Sequence, residues 1–141
     1  MKRKSDGSWM MWRLLGSGMI ILVVWIVLDL LMHQFLLRQM YEDNLSLWRP
    51  LDQMNVVLIF VVRFVLIGVF VGTYSLLVRP KSLAAGICLG AFLGLALGIS
   101  AGFGTYIHMP ISQKLAWGWL MGGWLKGIAA GAIVGALIQE P

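Results

Sequence analysis

Residues 83–104 have the sequence LAAGICLGAFLGLALGISAGFG, and residues 119–135 have the sequence WLMGGWLKGIAAGAIVG. Both segments are apolar, and both carry glycine at every fourth position. Inside a helix in water each glycine costs ~1 kcal/mol relative to alanine, whereas in a bilayer small residues at this spacing let two helix backbones pack closely. The sequence therefore predicts a transmembrane helical hairpin packed along glycine. The two series are Gly86, Gly90, Gly94, Gly98 and Gly102, then Gly123, Gly127, Gly131 and Gly135.

The spacing also predicts the register of this hairpin. If Gly98 lies opposite Gly123, the other glycines pair in order as far as Gly86 with Gly135, and the turn is centred on Pro110. A turn signal rich in glycine and proline extends from Gly102 to Pro110, at that centre. We therefore expect the third and fourth helices to run antiparallel with glycine opposite glycine.

The composition is that of a polytopic membrane protein. Of 141 residues, 60% are hydrophobic and 12% are charged, and the mean hydropathy is +0.85; these values exclude an ordinary soluble domain. The net charge is +5, but the basic residues form no face that would bind nucleic acid, and the single cysteine excludes an internal disulfide. The partner that the composition implies is the lipid bilayer.

Four apolar stretches are long enough to cross a bilayer, which takes ~20 residues of helix. We expect one transmembrane domain over residues 1–141, with an all-α, four-helix bundle fold. The predicted spans are about 12–37, 52–78, 83–103 and 114–138.

The distribution of lysine and arginine predicts the orientation, because cytoplasmic loops carry an excess of these residues. With the N-terminus inside, six of them fall on the cytoplasmic side and three on the outer side. Both termini are therefore expected in the cytoplasm. The inner residues are Lys2, Arg3, Lys4, Arg13, Arg79 and Lys81, and the outer residues are Arg38, Arg49 and Lys114.

Three charged residues fall near the middle of the spans: Asp29, Arg63 and Lys126. Each costs ~2.5–3.5 kcal/mol or more near the bilayer centre unless it has a partner or water. At ~1.5 Å per residue, all three lie about 14–20 Å from the outer surface. Equal depth predicts an ion pair between Asp29 and Arg63, with Lys126 sharing Asp29, becoming neutral, or meeting a carboxylate of a partner or ligand. The cluster is either a structural clamp between helices or a binding site or ion path.

Two histidines lie on the predicted outer side. His33 follows Asp29 by four residues on the same helix face, and Tyr41 continues that face. A carboxylate beside an imidazole suits metal binding or proton transfer. His33 and His108 are weak candidates for a haem or metal site, since no ligand-spacing motif is present; the alternative is a hydrogen-bonded His33 and a surface His108. No other cofactor is expected.

Two motifs on the predicted outer side carry a resemblance to a known family. The first combines D-L-L-M-H at 29–33, Tyr41, and L-W-R-P at 47–50; the second is G-x-G-x-Y-x-x-M-P-I at 102–111. With these motifs the chain resembles a family of small bacterial four-span inner-membrane proteins of unknown function. The resemblance implies a fold and a location but no activity. It draws attention to Tyr41, Trp48, Arg49, Tyr106 and His108 near the outer surface.

No catalytic combination of nucleophile, base and acid is present, so we expect a non-enzymatic protein. Glycines beyond those of the hairpin favour an oligomer or an accessory subunit of a membrane complex. The alternatives are a small ion or solute transporter or channel that uses Asp29, Arg63 and Lys126, and a haem- or metal-binding membrane anchor. The additional glycines are Gly68, Gly72, Gly118 and Gly122.

Overall fold

The computed structural model describes residues 3–43 and 45–140 of the chain. Lys2, on which the predicted orientation partly rests, lies outside the described residues, as do the side chains of Arg3 and Lys4. The protein is 86% helical, and the described ranges contain no strand. The predicted all-α class is confirmed.

Six α-helices follow one another in the described part of the chain. Two π-helical segments extend them: one, Leu31–Leu36, continues α1, and the other, Ser100–Gly104, joins α4 to α5. Short 3-10 turns occupy Leu45–Leu47 and Leu51–Gln53. The helices are α1 (Arg3–Leu30), α2 (Arg38–Glu42), α3 (Val56–Leu77), α4 (Leu83–Ile99), α5 (Thr105–His108) and α6 (Gln113–Leu137).

Four helical stretches are long and apolar enough to cross a membrane, and they correspond to the four predicted spans. They form an up-down-up-down bundle. We call the end that carries both chain termini the terminal end, and the end that carries residues 38–55 and 109–112 the loop end. The stretches are Gly7–Leu36, Val56–Leu77, Leu83–His108 and Gln113–Leu137.

Side-chain caps fix the starts of three long helices. Asn55 accepts a hydrogen bond from the backbone N–H of Leu58 at 2.9 Å, and Ser82 and Ser112 cap α4 and α6 in the same way. The helix of the second span thus begins at Val56, whereas the span was predicted from about 52. Pro50 precedes only the short turn Leu51–Gln53, after which the chain is extended at Met54.

The third span is longer than predicted. Helix α4 does not stop at Gly102–Gly104 but continues through the π-helical segment into α5 and ends at His108. The packing against α6 explains the continuation. Gly102 still lies directly against α6, since a Cβ at Gly102 would overlap the backbone oxygen of Ala116. The connection to α6 is therefore short, from Met109 to Ser112.

Helices α4 and α6 pack with glycine opposite glycine. A Cβ at Gly90 would overlap the backbone oxygen of Gly127, and a Cβ at Gly94 would lie 2.9 Å from the Cα of Gly127. At the ends of the series, Gly86 lies against Gly135 and Gly98 against Gly123. This is the register that the spacing predicted, and it leaves no room for a side chain between the two backbones.

Two hydrophobic clusters hold α1 and α3 against this pair. The larger cluster lies toward the terminal end and includes Ile21, Trp25, Phe70, Tyr74 and Val134. The smaller cluster lies at the loop end and is formed by Leu37, Ile111, Leu115 and Ala116. The middle of the bundle, between the two clusters, is where the charged residues of the spans lie.

We expect Gly90→Ala to lower the free energy of unfolding by about 1–3 kcal/mol, because the new methyl group forces two backbones apart. Denaturant titration in mixed micelles measures this quantity. Gly16→Ala is the matched control, since Gly16 is exposed on α1 and a Cβ there meets nothing within 4 Å, and it should change stability by less than ~0.5 kcal/mol. Equal effects of the two substitutions would contradict the packing described.

Candidate functional site

Asp29 is bound by two cations from different helices. Nη2 of Arg63 on α3 donates to Oδ2 at 2.7 Å, and Nζ of Lys126 on α6 donates to Oδ1 at 2.7 Å. These lengths are those of charge-assisted hydrogen bonds. The side chain of Asp29 is 17% exposed, and those of Arg63 and Lys126 are 24% and 28% exposed. The structure therefore contains the predicted Asp29–Arg63 pair and adds Lys126 to it.

A cavity of about 480 Å³ adjoins this cluster in the middle of the bundle. Asp29, His33 and Lys126 line one part of its wall, while Arg63 approaches Asp29 from outside it. Most of the remaining wall is apolar. The other lining residues include Trp25, Met32, Leu37, Leu66, Phe70, Leu97 and Trp119, with Ser100, Ala101 and glycines of α4 and α6.

Glycines of α6 shape the wall of this cavity. Gly118 lies against the side chain of Leu37, and a Cβ at Gly122 would lie 3.3 Å from the Cε of Met32. Trp25 fixes the other side, because its indole nitrogen donates to the backbone oxygen of Lys126 at 2.9 Å. Helix α6 thus contacts α4 on one face and α1 on another, so these extra glycines have partners within the chain.

A chain of hydrogen bonds connects the cluster with the loop end. The indole nitrogen of Trp119 lies 2.6 Å from the Tyr41 hydroxyl, and that hydroxyl lies 2.7 Å from Nδ1 of His33. An indole N–H can only donate, so the hydroxyl accepts from Trp119. Nδ1 of His33 is the one acceptor among the described residues within reach of the hydroxyl hydrogen, so we assign this second hydrogen bond as donated by Tyr41 to Nδ1. The proton of a neutral His33 is then on Nε2, which faces Oδ1 of Asp29 at 3.9 Å.

Tyr41 is held as a protonated donor. Burial raises the pKa of the Tyr41 phenol above its ordinary value, and the hydrogen bond from Trp119 opposes that shift in part. The ring packs edge-on against Trp48, with centroids 5.2 Å apart, and is stacked on Trp119 at 6.5 Å. These contacts fix the direction in which the hydroxyl presents its proton to His33.

Both π-helical segments border the cavity. His33 lies in the segment Leu31–Leu36, and Ser100 and Ala101 lie in the segment Ser100–Gly104. In the first segment, the N–H of Leu37 donates to the oxygen of Met32 at 2.8 Å. These residues are five apart, as in a π turn, and not four apart, as in an α-helix. Single π turns inside α-helices occur frequently at functional sites.

The structure does not bring the rest of the predicted outer-side residues to this site. Arg49 and His108 are exposed, and Tyr106 packs against Phe103, with ring centroids 6.3 Å apart. Among residues 3–43 and 45–140, no group of three or more His, Cys, Asp or Glu side chains could hold a metal ion. His33 uses Nδ1 for Tyr41, so the contacts give the haem or metal hypothesis no support, and it stays a prediction.

Sequence reasoning missed two tryptophans of the site. The sequence pattern gave no role to Trp25 or Trp119, yet both line the cavity and both donate hydrogen bonds beside it. A signal for Trp119 was present: it precedes Lys126 by seven residues, which places the two on one face of α6.

No known protein family, no curated protein sequence and no solved structure matches this chain. The resemblance to the four-span bacterial family stays a prediction.

A double-mutant cycle tests the cluster. Asp29→Asn should lower the free energy of unfolding by about 3 kcal/mol, the low end of the range for a buried pair that loses one partner, because two cations then face each other uncompensated. The double variant Asp29→Asn/Lys126→Gln should lose about 1–3 kcal/mol less free energy of unfolding than the sum of the losses in the two single variants.

The control for this cycle is Asp52→Asn, which removes the same charge at an exposed position and should leave stability unchanged. Strictly additive losses for Asp29→Asn and Lys126→Gln would show that the two residues do not interact.

Proposed function

We propose that this chain is a non-enzymatic multi-pass membrane protein that binds a small solute in the central cavity and moves it across the membrane. The observation on which the proposal depends is the position of the cavity. It lies in the middle of the bundle, beside Asp29, Arg63 and Lys126. Charged groups at that depth are costly and mark substrate or ion pathways by default. A concave, mostly apolar site with a few convergent polar groups is the usual form of a ligand site.

The two hydrophobic clusters support a one-sided path. Toward the terminal end, Trp25 and Phe70 belong both to the cavity wall and to the larger cluster, so packed side chains close that side. Toward the loop end, Leu37 belongs both to the cavity wall and to the smaller cluster, but the side chain of His33 is 43% exposed, so the wall is open beside His33. Transport requires that the terminal side open in turn, by movement of α1 or α3 against the rigid pair of α4 and α6.

The orientation in the membrane is part of the proposal. The excess of lysine and arginine at the terminal end favours both termini in the cytoplasm, and the family resemblance favours a bacterial inner membrane. In that orientation the exposed side chain of His33 lies on the outer side of Asp29.

The proposal is tested by filling the cavity. Ala101→Trp places a large side chain in its wall, and Ala96→Trp is the matched control, because Ala96 is exposed on the same span and does not line the cavity. We expect proteoliposomes with the wild-type protein or the control to show flux in a panel of sodium, potassium, chloride, acetate and benzoate gradients. Ala101→Trp should reduce that flux to background while the protein keeps its elution volume and unfolding midpoint.

Two results would reject the proposal. One is the absence of flux for every solute in the wild-type protein. The other is equal flux in Ala101→Trp and Ala96→Trp.

A second candidate function, an oligomer or accessory subunit, is favoured by α3. From Val56 to Leu66 every residue except Arg63 is exposed, and a Cβ at Gly68 or Gly72 would meet nothing within 4 Å. Small residues four apart on an uncovered helix face favour close contact with another transmembrane helix. The partner would be a second copy of the chain or another membrane subunit.

We expect the double variant Gly68→Leu/Gly72→Leu to abolish any such assembly, since the longer side chains hold a second backbone away. Light scattering after gel filtration in mild detergent measures the particle mass. Ile59→Leu, an exposed apolar change on the opposite face of the same helix, is the control and should leave the mass unchanged. A wild-type protein that is monomeric and has no co-purifying subunit would remove this candidate.

A further inference from the structure

We propose that the ligand of the central cavity is an amphipathic carboxylate, a monoanion with an apolar body. This inference rests on the proposed function for the role of the cavity, and it adds the chemical class of the ligand. Four features of the described residues lead to it: charge balance, unused donors, the direction of the His33 proton, and the size and polarity of the wall.

The charge of the cluster is not balanced by the chain itself. Arg63 and Lys126 contribute two positive charges and Asp29 one negative charge, while His33 is neutral in the hydrogen-bonded arrangement with Tyr41. The cluster therefore carries a net charge of about +1 in the middle of the bundle. An uncompensated charge in such surroundings is unfavourable, and a bound monoanion removes it.

Lys126 has donors that the described part of the chain does not use. Its ammonium carries three N–H groups, of which one is bonded to Asp29; no other acceptor among the described residues lies within hydrogen-bond distance. The ring of Trp25 lies 5.9 Å from Nζ and covers one side of it. Because Lys126 lines the cavity, its remaining donors are available to a ligand there.

His33 presents a second donor to the same place. Its Nε2 lies 3.9 Å from the Asp29 oxygen that Lys126 binds, which is too far for a direct hydrogen bond. The Trp119–Tyr41–His33 chain of hydrogen bonds places the proton on this nitrogen. Both residues also line the cavity, and an N–H and an ammonium on neighbouring parts of its wall match the two oxygens of a carboxylate.

The size and lining of the cavity set the rest of the ligand. The cavity volume of about 480 Å³ lies within the usual range for organic ligands, ~300–1,000 Å³. A halide ion would leave most of this volume empty. Leu66, Phe70 and Leu97 supply an apolar surface in the same cavity. The cavity therefore suits a carboxylate with an aromatic or aliphatic body. Such a ligand comes either from water, as an aromatic acid does, or from the bilayer, as a fatty acid does.

The test is equilibrium binding of radiolabelled benzoate and oleate to the wild-type protein in nanodiscs, with benzylammonium and benzyl alcohol as probes of similar shape and different charge. We expect one of the carboxylates to bind and the two other probes not to bind. Saturation with benzoate identifies a water-soluble source, and saturation with oleate alone identifies a lipid source; either result supports the inference.

Matched variants locate the binding. Lys126→Gln should weaken carboxylate binding roughly tenfold or more, the loss expected for a hydrogen bond to a charged group, and Lys126→Arg should retain it. Lys126→Gln leaves the Asp29–Arg63 pair intact, so the variant keeps a balanced cluster and should fold. The control is Lys114→Gln, which removes the same charge from an exposed position on α6 and should bind as the wild type does.

Three outcomes overturn the inference. Benzylammonium that binds as tightly as benzoate shows that the site does not select an anion. Equal affinities of Lys126→Gln and Lys114→Gln show that the carboxylate binds elsewhere. If neither carboxylate binds, and the protein instead shows a cation flux that Ala101→Trp blocks, the ligand is not a carboxylate, although the proposed transport function still holds.

Discussion

One carboxylate shared by two cations is the interaction on which the rest of this structure depends. Asp29 on α1 accepts a hydrogen bond from Arg63 on α3 and another from Lys126 on α6, both at 2.7 Å. Each of these charged groups would be unfavourable alone at that depth in a bilayer, so the helices that carry them are held together. This charged cluster lies between the two hydrophobic clusters of the bundle. It therefore borders the cavity that remains between them.

The glycine contact between α4 and α6 supplies the rigid half of the molecule. With no side chain between Gly90 and Gly127 or between Gly94 and Gly127, these two helices cannot slide or separate without losing close backbone packing. Helices α1 and α3 have fewer such constraints, and in the loop-end half of α3, from Val56 to Leu66, every residue except Arg63 is exposed. The charged cluster lies at the junction of the two pairs, so the movement of α1 or α3 that the proposed transport requires would change the contacts of Asp29.

The sequence was sufficient to predict those parts of the structure that depend on regular helix geometry. A fixed rise per residue placed Asp29, Arg63 and Lys126 at one depth, and a period of four gave the glycine register. The π-helical segments at 31–36 and 100–104 were not predicted, since in the first no glycine or proline marks the change and in the second the glycines suggested a turn. The place of Trp119 in the site was also missed, because it depends on how α1 packs against Gly118 and Gly122, which is a tertiary contact.

The most direct test of this account is the distance between the Asp29 carboxyl carbon and the Lys126 ammonium nitrogen, measured in bilayers by dipolar recoupling in solid-state NMR. Carbon-labelled aspartate and nitrogen-labelled lysine suffice, because in the described residues only this Asp–Lys pair is in contact. The account predicts that one aspartate signal is strongly dephased, as the 2.7 Å oxygen–nitrogen contact requires, and that this signal disappears in Asp29→Asn. An Asp29 signal without dephasing would show that the shared carboxylate does not exist, and the site built around it would have to be abandoned.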